Sequence, residues 1–298
     1  MRVLLTGATG SIGGAVLKAL TDHGHEVTCP VRSLSKIQNP NANPLVHYVE
    51  VDSSLDDFTK YNQVAQGFPC IIHTGFAMTP NDSELEANVT RGLLEAAKSQ
   101  SLLEKVTFTF TSGCHVIGST DQLIGDDVAT TEHCEDFCKY RVEHENLVLS
   151  YSTENLAASV VRPGWVYGGS FVDLWFSYCK KHGKIVVPEQ LGKITFVHKD
   201  DLATIYRLVA ENAGRGCYFG SEGQGPEIEE LIEFNKRLTG VTVVERVPDI
   251  MPYLHDFSFT LIAFGLKCSV DSTRARTEFG YAPRYNIIRD GERVLRID

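Results

Sequence analysis

Near the start of the chain, Thr6-Gly7-Ala8-Thr9-Gly10-Ser11-Ile12-Gly13 spaces three glycines three residues apart. Glycines at this spacing let a backbone turn tightly and approach a phosphate, and the free N–H groups of a following helix favour negative charge there. The turn therefore predicts a dinucleotide site built from Gly7, Thr9, Gly10, Ser11, Ile12 and Gly13. A plain glycine-rich turn has the same composition, so the prediction needs a strand before it and a helix after it. A second cue is Cys29-Pro30-Val31-Arg32-Ser33-Leu34-Ser35-Lys36. A carboxylate at the end of a second strand would hold the ribose hydroxyls of NAD. This segment has none, whereas Arg32 can fork onto a 2′-phosphate and Lys36 adds charge. NADP(H) is favoured over NAD(H), against the alternative that both residues form an ordinary solvated face.

Those side chains need elements to hold them. Arg2–Thr6 reads as a buried strand and Ser11–His23 as a helix that stops at Gly24. Further strands are predicted at Glu26–Val31, Leu45–Val51, Cys70–Phe76, Val106–Phe110 and Ala157–Val161. Helices are predicted at Glu84–Ser99, where Leu85, Val89, Leu93 and Ala97 recur at helical spacing, and at Glu135–Tyr151. This alternation implies an α/β fold with a doubly wound parallel sheet of the Rossmann type. It weakens after Pro163. Residues 1–165 with 194–220 read as the NADP-binding core, and 166–193 with 221–298 as a smaller substrate-binding lobe.

Composition narrows the class. The chain has 298 residues, 43% of them hydrophobic and 22% charged, with a net charge of −10. That balance argues against a nucleic-acid partner, which needs clustered Lys and Arg, and against an anionic membrane. No apolar run reaches the roughly 18 residues of a membrane span. The N-terminus has no signal-peptide pattern, and the eight cysteines then read as reduced thiols in a cytoplasmic protein. Cys134 and Cys138 lie one helical turn apart, but no second pair has metal-ligand spacing, so no metal is expected. A small-molecule substrate is the expected partner, and a homodimer is left open.

The ordered motifs resemble the extended short-chain dehydrogenase/reductases, the group related to NAD-dependent epimerases and dehydratases. Besides the opening turn, Val51-Asp52 resembles the aspartate that meets the adenine. Ile72-His73-Thr74-Gly75-Phe76 resembles the strand end that passes the cofactor ribose, which adds His73, Thr74 and Gly75 to the site. Asn88 in Ala87-Asn88-Val89-Thr90 matches the asparagine of the central helix. Thr111-Ser112-Gly113-Cys114-His115-Val116-Ile117-Gly118 resembles the segment bearing the active-site hydroxyl. Arg162-Pro163-Gly164-Trp165-Val166-Tyr167-Gly168 is typical of the extended branch and adds Pro163, Gly164 and Val166 as cofactor contacts. Phe196–Ala203 and Glu278–Pro283 complete the resemblance, which spans essentially the whole chain.

The same resemblance exposes a departure. The family's proton relay is a Tyr four residues before a Lys, the ammonium lowering the tyrosine's pKa and holding the nicotinamide ribose. A Glu eight residues after the Tyr fixes the frame here. Glu145 fits that role, which puts Phe137 in the Tyr slot, Arg141 in the Lys slot and Gly113 in the hydroxyl slot. Phe137 cannot exchange a proton, and Arg141 keeps its charge without titrating usefully. Three substitutes are open. Tyr140 lies about 60° around a regular helix from Phe137. His115 faces the Gly113 side if the segment is extended. Ser112 can bind a substrate oxygen. His144, four residues after Tyr140, imitates the pair but is disfavoured by the Glu145 frame. The sequence therefore supports an NADP(H)-dependent oxidoreductase on a small organic carbonyl or hydroxyl with an atypical relay. Its alternatives are a non-catalytic NADP(H) sensor, or an enzyme of another class that uses the nucleotide structurally.

Overall fold

Val3, Leu4 and Leu5 form an unbroken apolar run, which suits a strand covered on both faces. The computed structural model describes residues 1–51, 58–75, 82–119, 123–124, 134, 136–189, 192–248, 264–265 and 268–297. In it this run lies in β1 (Arg2–Thr6), and all three side chains are fully buried. There follow α1 (Ser11–Thr21), β2 (Glu26–Val31), β3 (Val46–Glu50), α2 (Phe58–Ala65), β4 (Cys70–His73), α3 (Asp82–Gln100), β5 (Val106–Thr111), β6 (Leu123–Ile124), α4 (Lys139–Ser150) and β7 (Leu156–Pro163). The remainder comprises β8 (Trp165–Tyr167), α5 (Phe171–His182), β9 (Ile185–Pro188), β10 (Phe196–His198), α6 (Lys199–Glu211), β11 (Gly216–Gly220), α7 (Ile228–Thr239), β12 (Val244–Val247), β13 (Ser269–Val270), α8 (Thr273–Phe279) and α9 (Ile287–Val294).

Seven strands form one sheet in the order β11-β7-β5-β4-β1-β2-β3. Every neighbouring pair from β7 to β3 runs parallel. Successive strands build outward from β1 through β2 to β3, and then from β4 outward on the other side. The reversal between β1 and β4 is the topological switch point where sheets of this kind take ligands. The register sets Thr6 beside His73 at the carboxyl ends of those two strands. This is the doubly wound Rossmann arrangement expected from the sequence.

Two predicted elements differ in a way that matters below. The helix expected over Glu135–Tyr151 begins only at Lys139, after a 3₁₀ turn at Asp136–Cys138. The segment after Gly113 is not extended but forms a 3₁₀ turn, Cys114–Ile117. A 3₁₀ turn rotates about 120° per residue. The period-2 argument that put His115 on the Gly113 side therefore fails.

The chain divides into two compact units. The first comprises residues 1–112, 139–162 and 202–218, and the second 113–138, 163–201 and 219–298. Leu4, Ile71, Leu93, Phe108, Phe110 and Val160 are central to the first core. Tyr167, Trp175, Phe176, Phe234 and Phe264 are central to the second. Trp175 meets Phe176 and Phe264 edge-on, with centroids 4.7 and 4.8 Å away. Among the described residues no helix is long and apolar enough to cross a membrane.

One half-buried acid in the second unit makes stability depend on pH. Glu222 accepts hydrogen bonds from Tyr167 Oη (2.7 Å), Asn286 Nδ2 (3.2 Å) and the Ile287 amide (3.1 Å). Burial nevertheless pushes its carboxyl from 4.5 up to about 7. The folded chain then holds this proton more tightly than the unfolded chain does. The stabilisation is complete below pH 4.5 and disappears as pH rises through 7. Urea unfolding at a series of pH values should show the wild type losing about 2 kcal/mol relative to Glu222→Gln between pH 5 and 8. Parallel profiles for the two proteins would remove Glu222 as the cause.

Candidate cofactor and catalytic site

Gly7, Gly10 and Gly13 do three different things in the turn between β1 and α1. Gly7 has φ +75°, a left-handed conformation that side chains rarely adopt, and a Cβ there would lie 2.6 Å from the Gly75 amide nitrogen. Gly13 packs its bare Cα against the turn, since a Cβ would lie 2.1 Å from Gly7 O. Gly10 is the helix N-cap, with φ −83° and an exposed position. A Cβ on Gly10 would meet only Gly7 O, at 3.3 Å. The first and third glycines thus close the turn, while the second keeps its outer face open to a ligand.

The floor of the turn is polar and buried. Thr74 Oγ1 donates to Thr6 O (2.8 Å), and Thr6 Oγ1 pairs with His73 Nδ1 (2.5 Å). Burial drives the His73 ring down to about 4, so it is neutral at pH 7 and is no proton donor there. Ser11 Oγ, in the first turn of α1, is buried without a hydrogen-bond partner among the described residues. An orphaned hydroxyl at the N-terminus of a helix, beside a glycine-lined face, fits a pyrophosphate. At the end of β2, Arg32 and Lys36 are exposed, and neither makes an ion pair with a described residue. Ser33 Oγ and Ser35 Oγ lie 2.9 Å apart between them. Glu50 supplies a nearby carboxylate, but it is engaged by the Leu34 amide at 2.7 Å.

Arg141 projects from the first turn of α4 toward the end of β5. Its Nη1 donates to Thr111 O (3.2 Å), and its Nη2 lies 3.4 Å from Glu86 Oε2. Arg141 and Glu86 are both buried. Burial opposes ionisation of Glu86, but the neighbouring His144 and Arg141 outweigh it and hold the carboxyl below its usual range. His144 Nδ1 stands 3.8 Å from Glu86 Oε1, too far for a good hydrogen bond. The Arg141 guanidinium carbon lies 5.4 Å from the Tyr140 ring centroid, and His144 meets that ring edge-on at 5.7 Å. Ser112 follows β5 directly. It is buried, its amide donates to Val161 O (2.8 Å), and its Oγ has no partner among the described residues. One turn further along α4, Glu145 takes Arg162 in a two-pronged buried pair, with Nε–Oε1 at 3.1 Å and Nη2–Oε2 at 2.7 Å.

The first unit contains the Gly7–Gly13 turn, Arg32, Lys36, His73, Thr74, Gly75, Ser112, Tyr140 and Arg141, with Asn88 half-buried on α3. Pro163, Gly164, Val166 and His115 belong to the second unit. Gly164 is a packing glycine there, since a Cβ would lie 2.6 Å from Thr195 O. His115 Nε2 accepts a hydrogen bond from Trp165 Nε1–H at 2.8 Å. Asp52 lies outside the described residues. Phe137 falls in the 3₁₀ turn before α4, and its side chain likewise lies outside them. Sequence reasoning missed Glu86 altogether, because a lone Glu on an amphipathic helix looks like any solvated acid.

The fold and this turn define a nicotinamide-dinucleotide-binding class. The profile of the NAD dependent epimerase/dehydratase family matches residues 3–217. The chain belongs to that family. It is 28% identical to an uncharacterised Saccharomyces cerevisiae protein over 299 residues, covering 95% of each chain. It is 26% identical to the 3-diazoavenalumate denitrifying reductase of a Streptomyces species, covering 98% of this chain and 99% of that one. Among solved structures, the dTDP-glucose 4,6-dehydratase of Bacillus anthracis in complex with NAD superposes with a TM-score of 0.77 at 16% identity. That match covers 99% of this chain and 95% of the dehydratase.

Proposed function

We propose that this chain is an NADP(H)-dependent oxidoreductase acting on a carbonyl or hydroxyl of a small organic substrate, with Tyr140 and Arg141 standing in for the usual Tyr–Lys pair. The observation that carries the reading is the glycine cradle closing on Thr74–Gly75, in the same unit as a buried Arg141 beside Tyr140. The nicotinamide, when bound, supplies or takes the hydride. Arg141 holds ribose hydroxyls as a permanent cation. The Tyr140 phenol gives its proton to the substrate oxygen as charge develops there. Ser112 Oγ positions that oxygen. Tyr140 is preferred to His115 because Tyr140 lies in the same unit as the glycine turn and Arg141, whereas His115 lies in the other unit, on a 3₁₀ turn that removes the argument for facing it toward the Gly113 side. The helix angle that weighed against Tyr140 assumed a regular helix through Phe137, where the backbone is a 3₁₀ turn. The Glu145–Arg162 pair supports the frame that puts Arg141 in the Lys position. The reductase name of the Streptomyces relative supports the reaction class.

Two experiments test the parts. Oxidation of NADPH against a panel of ketones and enones should find turnover, and Tyr140→Phe should lower kcat about 100-fold or more. Turnover unaffected by Tyr140→Phe would exclude this acid. Binding without turnover of any substrate would favour a sensor instead. Calorimetry should show NADPH binding more tightly than NADH, with Arg32→Ala removing about 1.5–3 kcal/mol of the difference. Equal wild-type affinities contradict the 2′-phosphate assignment.

A further inference from the structure

The second unit carries a side-chain cluster that the proposed reaction does not use. Cys114 and His115 open the 3₁₀ turn Cys114–Ile117. Cys268 arrives from 154 residues further along the chain. Its amide donates to Lys193 O at 2.7 Å, and it bridges Ile194 in parallel register, so its backbone is tied down. One ligand atom from each of Cys114, His115 and Cys268 lies within 4.8 Å of the other two. Cys114 and Cys268 are 2% and 0% exposed, while His115 is half-exposed.

We propose that Cys114 Sγ, Cys268 Sγ and a ring nitrogen of His115 form a binding site for a thiophilic divalent cation of the zinc class. Sulfur and imidazole ligands select such ions over hard ones. Ligation displaces one proton from each thiol to solvent, so two thiolates and a neutral imidazole balance a divalent charge. Burial then leaves no uncompensated ion. Metal–sulfur and metal–nitrogen bonds of about 2.3 and 2.0 Å put neighbouring ligand atoms roughly 3.5–3.8 Å apart, so separations bounded by 4.8 Å need close by no more than about 1 Å. Small side-chain adjustments at the three residues bring the ligand atoms to bonding distance, and for His115 this costs its hydrogen bond from Trp165, which is small beside a metal–ligand bond. The half-exposed imidazole is the route by which the ion enters. Three protein ligands leave the fourth position to solvent or to a small donor ligand.

Titration of the reduced, metal-free full-length protein with Co²⁺, followed by absorption, tests the site. The result expected is one Co²⁺ per chain, with sulfur-to-cobalt charge-transfer and tetrahedral ligand-field bands that Zn²⁺ displaces. Cys268→Ala, shown folded by circular dichroism, should abolish the charge-transfer band. His115→Ala, at a half-exposed residue and so a safer variant for the fold, should weaken binding at least about tenfold, since even outer-shell changes cost that much. The double variant Cys134→Ala, Cys138→Ala should bind as the wild type does. Absence of the thiolate band in the wild type, its persistence in Cys268→Ala, or its loss in the Cys134/Cys138 variant overturns the proposal. So does a Cys114–Cys268 disulfide recovered by peptide mapping from protein purified without reductant and resistant to reduction.

Discussion

Gly10→Val should abolish dinucleotide binding while leaving the fold intact. The three glycines of the turn are not equivalent, and the difference makes this the informative substitution. At Gly7 or Gly13 a side chain would collide with backbone atoms of the protein itself, so loss of binding there would be confounded with loss of the turn. Gly10 has a conformation open to any residue, and its only close neighbour is Gly7 O. A Cβ there would stand 3.3 Å from Gly7 O, so the turn must give by only a few tenths of an ångström, and the added side chain projects from an exposed position onto the face where a pyrophosphate would approach. Loss of more than about 100-fold in affinity is expected, since the phosphate loses the backbone N–H groups that hold it. Calorimetry against NADPH, alongside thermal unfolding, separates the outcomes. Undiminished binding by a folded Gly10→Val protein places the cofactor elsewhere.

The second large effect is on stability. Arg162 and Glu145 are each nearly inaccessible, at 3% and 1% side-chain exposure, and form a bidentate pair joining β7 to α4. Deleting one partner leaves the other as an uncompensated buried charge, which costs about 3–5 kcal/mol. Arg162→Leu should therefore lower unfolding stability by that amount. Arg162→Leu combined with Glu145→Leu should recover much of the loss, because the apolar pair removes the stranded carboxylate. A loss below about 1 kcal/mol in the single variant would show the pair to be solvated. The same pair holds α4 in place and with it Tyr140 and Arg141, so the single variant should also weaken NADPH binding.

What could be read from the sequence follows the range over which each signal acts. The turn at Gly7–Gly13 and the strands beside it were legible because their signals are local. Apolar runs and glycine spacing survive in a single chain with no knowledge of contacts. Glu145 and Arg162 were usable as a frame because the family motif carries them together, although nothing in their spacing shows that they touch. The 3₁₀ turns at Cys114–Ile117 and Asp136–Cys138 were not legible, since three or four residues are too short to establish a period. That shortness displaced the reading of His115 and weakened the angular argument against Tyr140. Composition alone does not say whether the aromatic residues after Pro163 line a pocket or fill a core. Tyr167, Trp175 and Phe176 turn out to be core, because segments 228–239 and 264–265 come back to cover them. Glu86 and Cys268 were invisible for the same reason, as each acquires meaning only from a partner far away in sequence.

Among these expectations, transfer of deuterium from NADPH labelled stereospecifically at C4 of the nicotinamide addresses the central claim most directly. With a substrate found in the ketone and enone panel, mass spectrometry of the product should show one deuterium per turnover from one face of the ring and none from the other. NADPH bound at the glycine turn and never oxidised, or product formed without label from either face, would contradict the account.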